Sequence, residues 1–131
     1  MRLPESNNQE NLNALGIYEM GNCLIIPAPQ DINPNSALII QQTILSEVER
    51  KSIKKILYDV SVISVLDSKT YGILWGTAQM AAMMGARTVF ISFQPGVASA
   101  LVDLDSDIDS IQTASTLEEG LEIIKMGSVN E

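Results

Sequence analysis

An α/β fold built on a mostly parallel sheet is predicted by three observations. Apolar runs of strand length alternate with longer stretches at helical spacing. A Gly21-Asn22 pair joins the first two runs as a hairpin. Proline or glycine stands at several of the later changes of pattern. Alternating strands and helices after an initial hairpin imply a central parallel sheet with an antiparallel pair at one side and about four helices packed against it.

The elements follow in order. Residues 1–13 are polar and read as a disordered lead, with one domain over residues 14–126 and a tail at 127–131. Residues 15–20 and 23–27 read as the hairpin strands. Asn33-Pro34 supplies an N-cap and a proline at the first helical position. Ala37, Ile40, Ile44 and Val48 then recur as an inner stripe, widened by Leu38 and Leu45, while Ile39 falls outside it. Glu47, Glu49, Arg50 and Lys51 read as the solvated end of this helix. Residues 56–60 form a compact apolar run, expected to be a central strand covered on both faces. A loop over 61–66 packs its apolar residues down. A second helix runs from about Ser68 to Met84 and stops at Gly85. Residues 88–92 are the next strand, and Gln94-Pro95-Gly96 opens a third helix with Val97, Ala98, Leu101, Val102 and Leu104 available inside. Residues 111–114 make a last strand and 116–126 a last helix.

Composition excludes several classes of function. The 131 residues fit one hydrophobic core, and 46% apolar with 18% charged residues reads as globular. The net charge of −8 repels phosphate backbones, so nucleic acid is not an expected partner. No apolar run approaches the ~18 residues that span a bilayer, and the start of the chain lacks a secretory pattern. With one cysteine no internal disulfide is possible, which suits a cytoplasmic protein. Cys23 lies in a strand pattern and reads as a small buried hydrophobe. There is no histidine, which removes the commonest general base and zinc ligand. No enzyme, cofactor or metal is expected.

The segment Val65-Leu66-Asp67-Ser68-Lys69-Thr70-Tyr71-Gly72 carries the most chemistry. It sets Asp67 and Ser68 at a helix start, where free N–H groups and the dipole favour negative charge. Either residue serves as a cap. Equally, a phosphate on Ser68 is held locally while changing the outward surface. Nothing nearby activates Ser68 as a nucleophile, since Lys69 diverges from it by about 100° around the helix. Gly72 and Gly76, one turn apart, suggest close approach to the sheet or another helix. Met80 and Met84 read as core filling.

Alternating Asp103, Asp105, Asp107 and Asp109 resemble a calcium loop only superficially. Counted from Asp105, the sixth position is Ser110 and the twelfth Thr116, where glycine and glutamate are needed. A phosphoacceptor receiver domain is equally poorly served: Asp59 imitates the acceptor, but no acidic pair or late lysine accompanies it.

Three segments together resemble the STAS domain, the anti-sigma-factor-antagonist fold. Asp59-Val60-Ser61 with Asp67-Ser68 and Gly72-Ile73-Leu74 is similar to its switch region. Met84-Gly85-Ala86-Arg87-Thr88-Val89-Phe90-Ile91-Ser92 is similar to its next strand, and Gln94-Pro95-Gly96-Val97-Ala98 to its following helix, the latter most like RsbS-type proteins of the stressosome. The resemblance implies phosphorylation of Ser68 by a switch kinase, with Asp59, Asp67, Lys69 and Thr70 around it as the partner-binding switch region. It also implies an RsbT-like kinase, RsbR-like STAS sensor proteins and an RsbX-like phosphatase as partners, in homo- and hetero-oligomers. Simple anti-anti-sigma factors carry a second Ser or Thr and then Gly-Leu after the acceptor; here Lys69-Thr70-Tyr71-Gly72 stands instead. A stand-alone anti-anti-sigma factor and a STAS subunit of a transport system are the alternative readings.

Overall fold

The computed structural model describes residues 5–104 and 112–129. Helix α1 spans Glu5–Leu15, followed by strands β1 (Tyr18–Met20) and β2 (Cys23–Pro27) and helix α2 (Pro34–Lys51). Strand β3 (Lys55–Asp59), helix α3 (Ser68–Met83), strand β4 (Arg87–Ile91), helix α4 (Pro95–Leu104), strand β5 (Thr113–Ala114) and helix α5 (Leu117–Val129) complete the chain. The sheet order is β1-β2-β3-β4-β5, antiparallel at the β1/β2 hairpin and parallel thereafter. The α/β class and the mixed sheet agree with the sequence reading. The helices described number five rather than about four.

The difference is α1. Where the sequence reads as a disordered lead, the structure forms a helix that buries Leu12 in the main core. Its polar sequence gives no stripe for periodicity to detect; one leucine and a sharp exit anchor it. Gly16 takes a left-handed φ of 73°, and the Ile17 N–H donates to the Leu12 carbonyl at 2.9 Å. The 127–131 tail begins inside α5, which runs to Val129.

Strand alternation sorts the sheet into two faces. Leu24, Ile26, Ile56, Tyr58 and Phe90 meet α2 and α3 through Ile40, Ile44, Leu74 and Trp75. Cys23, Leu57, Val89 and Ile91 lie on the opposite face with Ile124 of α5. Burial pushes the Cys23 thiol up, away from reactivity. Helix α2 starts at a complete capping box, Asn33 and Ser36 each accepting the other's backbone N–H at 3.0 Å.

Several side chains depart from their sequence reading. Glu47 is 1% exposed rather than solvated, because Arg50 and Lys51 fold over it at 2.9 and 3.2 Å. Met80, Met83 and Met84 all face outward, Met83 at 87% exposure, since α3 turns its Leu74 and Trp75 side to the sheet. Ile39 is exposed, as its place off the stripe implies. Val102 is exposed while Val97 and Leu101 are buried. Asp105, Asp107, Asp109 and Ile111 lie outside the described residues.

The glycines also exchange roles. A Cβ on Gly72 would meet nothing within 4 Å, and one on Gly76 only Met80 Cε at 3.9 Å. Close approach belongs instead to Gly120, where a Cβ would lie 3.3 Å from Leu57 Cδ2 and 3.4 Å from Ile91 Cδ1. Gly72→Ala should therefore stabilise the isolated domain by about 0.5–1 kcal/mol through helix propensity. Gly120→Val should destabilise it by about 1–3 kcal/mol through overpacking. Urea unfolding checks both; a stability loss in Gly72→Ala would contradict the open surface around that residue.

Candidate functional site

The parallel strands end at one margin of the sheet, the usual place for functional loops in open α/β folds. The Ala28 N–H donates to the Asp59 carbonyl at 2.8 Å, and the Val60 N–H to the Ile91 carbonyl at 3.0 Å, tying three strand ends together. The loop from β3 to α3 is built on that margin. The Asp59 carboxylate accepts the Ser61 N–H at 2.9 Å and turns the chain sharply. Ile63 is buried and anchors the loop, while Gln94 Nε2 reaches from the start of α4 to the Ser61 carbonyl at 2.8 Å. Gln94 is a support that no local sequence signal marks as such. Val62 and Val65 do not pack down as expected. They face out, Val65 at 78% exposure, because the short loop can direct only part of its apolar set inward.

At the loop's end Asp67, in extended conformation, caps α3. Its Oδ1 accepts the Thr70 N–H at 2.7 Å, and its carbonyl accepts the Tyr71 N–H at 2.9 Å. The Thr70 N–H, above all, holds the Asp67 carboxyl below its ordinary value of 3.8. Of the two capping options in the sequence, aspartate takes the role. Ser68 therefore occupies the first helical position with its side chain exposed and its hydroxyl outside the capping network. Lys69 is also exposed. Thr70 is fully buried, so it serves the loop from inside and does not belong to the contact surface suggested by the sequence. Asp59 turns its carboxylate into its own loop; among the described residues no hydrogen bond links it to Asp67 or Ser68.

A pH dependence follows from the cap. Because folding lowers the Asp67 pKa, its stabilising contribution is complete above the ordinary value of 3.8 and is lost as pH falls through the lower folded value. Asp67→Ala should lower thermal stability near neutral pH, with the deficit shrinking under acid. Asp67→Asn should retain most of the cap and flatten the acid slope. Thermal scans between pH 7 and pH 2 test this, and an Asp67→Ala deficit that persists unchanged at the acid end would refute it.

Known proteins share this architecture. The RsbT co-antagonist protein RsbRA of Bacillus subtilis is 22% identical over 113 residues, which cover 86% of this chain and 41% of that protein. The present chain thus spans less than half of that relative's length. The structure of Moorella thermoacetica RsbS carrying a serine-to-glutamate substitution superposes with a TM-score of 0.76 at 20% identity, covering 86% of this chain and 95% of that one. A chain from the molecular architecture of the stressosome, described as a signal integration and transduction hub, superposes with a TM-score of 0.74 at 21% identity, covering 86% and 97%. Among the described residues no helix is long and apolar enough to cross a membrane. The STAS-domain family model matches residues 15–120, from the end of α1 into α5, and the chain belongs to the STAS family.

Proposed function

We propose that this STAS domain is a non-enzymatic scaffold of RsbS type, which holds a switch serine/threonine kinase and releases it when Ser68 is phosphorylated. The observation that carries the reading is the division of labour at the start of α3. Asp67 supplies the cap, which leaves the Ser68 hydroxyl presented to solvent at the dipole's positive end. A serine needed as the cap would not be available for modification.

The surroundings suit a protein partner. Val62 and Val65 are exposed beside the loop, and Gly72 leaves open surface one turn beyond Ser68. Exposed apolar side chains give a partner surface to bury, and the polar groups beside them fix its register. Asp67, Lys69 and the polar backbone of the loop would orient the kinase, with Asp59 and Gln94 holding the loop in shape. The RsbRA and RsbS likenesses support co-assembly with RsbR-like proteins, and a RsbX-like phosphatase would reset the site. These remain partners of chemistry appropriate to a phosphoserine switch in the cytoplasm.

The test is affinity capture from host lysate with the full chain as bait, followed by mass spectrometry and light scattering. A switch kinase and a second STAS protein recovered in a very large particle are expected. A one-to-one complex with an anti-sigma kinase would favour a stand-alone antagonist, and capture of a transporter without any kinase would overturn the switch assignment.

A further inference from the structure

Strand β1 stands at one edge of the sheet and pairs on one side only, with β2. All three of its residues are exposed. The two-residue Gly21-Asn22 turn makes Met20 and Cys23 the closing hydrogen-bonded pair of the hairpin, and Tyr18 with Ile25 the next one. Glu19, between them, therefore directs its N–H and C=O away from β2 and toward the open edge. Such an edge is a template for a further strand, and folds ordinarily blunt it with proline, a bulge or a bare charge. The β1 register with β2 runs without a bulge, and the strand holds no proline. Its one charge is cancelled, because Lys51 Nζ lies 3.0 Å from the Glu19 carboxylate.

Residues directly opposite in a strand pair share a face of the sheet. Glu19, opposite Leu24, lies on the α2 side, where Lys51 meets it. Tyr18 and Met20, opposite Ile25 and Cys23, lie on the α5 side. Helix α5 packs over β3, β4 and β5. At β1, Tyr18 is left 61% and Met20 45% exposed beside a half-buried Ile25. A strand edge with free backbone groups and an apolar strip thus coincide.

Charge selects what can cover them. In a chain of net charge −8, two copies repel each other across most of their surfaces. The β1 margin is an exception. Glu19 meets Lys51, the buried Glu47 meets Arg50 and Lys51, and Lys55 stands in register with Cys23 on the neighbouring strand. With Glu49 of the same helix end, three carboxylates stand with three cations. The strip is also self-complementary. A two-fold axis at Glu19 joins its N–H and C=O to the same groups of a second copy, and sets Tyr18 of each copy across from Met20 of the other. Thioether–aromatic contacts of this kind are favourable, and a two-fold pairing closes on itself.

We propose that β1 is a self-association edge, across which two copies of this chain pair antiparallel and join their sheets into one. Each Glu19 enters the contact already neutralised by its own Lys51. Strand β1 lies two strands from β3, whose following loop leads to Ser68, so the pairing leaves that residue uncovered. The surface gives a place to the STAS–STAS contact proposed above, but it does not rest on the Ser68 assignment.

Sedimentation of the purified full chain, with amide hydrogen exchange followed by NMR, tests this. A monomer–dimer equilibrium is expected between about 10 μM and 1 mM, as befits a small interface. Over that range the Glu19 amide should exchange at least ~3-fold more slowly, while the amides of Ser68 and Lys69 keep their rates. Met20→Asp should weaken dimerisation by at least ~10-fold and Tyr18→Thr by a few-fold, both with a dispersed folded spectrum. Met83→Asp, on the far end of α3, should dimerise like the unmodified chain. A chain that stays monomeric throughout, a dimer whose Glu19 amide gains no protection, or a dimer disrupted by Met83→Asp but not by folded Met20→Asp would each overturn the proposal.

Discussion

Ser68→Asp is expected to lower affinity for the captured kinase by about 10²–10³-fold while leaving the fold and the STAS–STAS assembly intact. The first half rests on electrostatics at an interface. A phosphate adds about −1.5 to −2 charges, and aspartate adds about −1, beside an Asp67 that is already ionised. Covering that charge with a partner surface costs desolvation and like-charge repulsion; about 3–4 kcal/mol corresponds to the stated loss. The second half rests on position. At the first turn of α3, negative charge meets the helix dipole favourably, so the domain itself loses little stability. Ser68→Ala should keep capture and block ATP-dependent release. Surface plasmon resonance with the purified kinase, before and after ATP, separates the variants. If Ser68→Asp binds like the unmodified chain, the phosphoserine switch is not located here.

Phe90→Ala should be the most damaging single truncation in the core, costing about 3–5 kcal/mol. Phe90 is 1% exposed at the centre of an aromatic group. Its ring lies 5.5 Å from Tyr58, 6.0 Å from Trp75 and 5.9 Å from Phe93, so it joins β3, α3 and the β4–α4 corner. Removing it forfeits hydrophobic transfer, leaves a cavity the sheet cannot close, and abolishes all three ring contacts. For a domain of this size the melting temperature should fall by roughly 10–20 °C. Phe90→Leu, which keeps most of the volume, should cost markedly less. A loss below about 1 kcal/mol in Phe90→Ala would show that α3 is not held to the sheet through this residue.

The order of elements was legible because the relevant signals are local. Strand and helix periods, the Gly21-Asn22 turn, the Asn33-Pro34 start of α2 and the stop at Gly85 each act through backbone geometry within a few residues. The change from strand to helix pattern across residues 65–74 located the α3 start, and Asp67 and Ser68 lie together there. Which of the two is the cap was not legible, since either side chain satisfies the same N–H groups. The structure decides for Asp67 because its extended backbone places Oδ1 at the Thr70 N–H.

Other features depend on residues distant in sequence. The polar α1 exists because Leu12 finds the core, and Glu47 is buried because Arg50 and Lys51 close over it. Thr70 and the α3 methionines take their sides from the direction in which Leu74 and Trp75 face the sheet. A cavity of about 430 Å³ joins Trp75 of α3, Thr88 of β4 and Gln112 just ahead of β5. Propensity and pattern are properties of neighbours along the chain and determined the class, the order and the approximate ends of the elements. Burial, hydrogen-bond satisfaction and the meeting of side chains are properties of neighbours in space, and only tertiary packing could decide them.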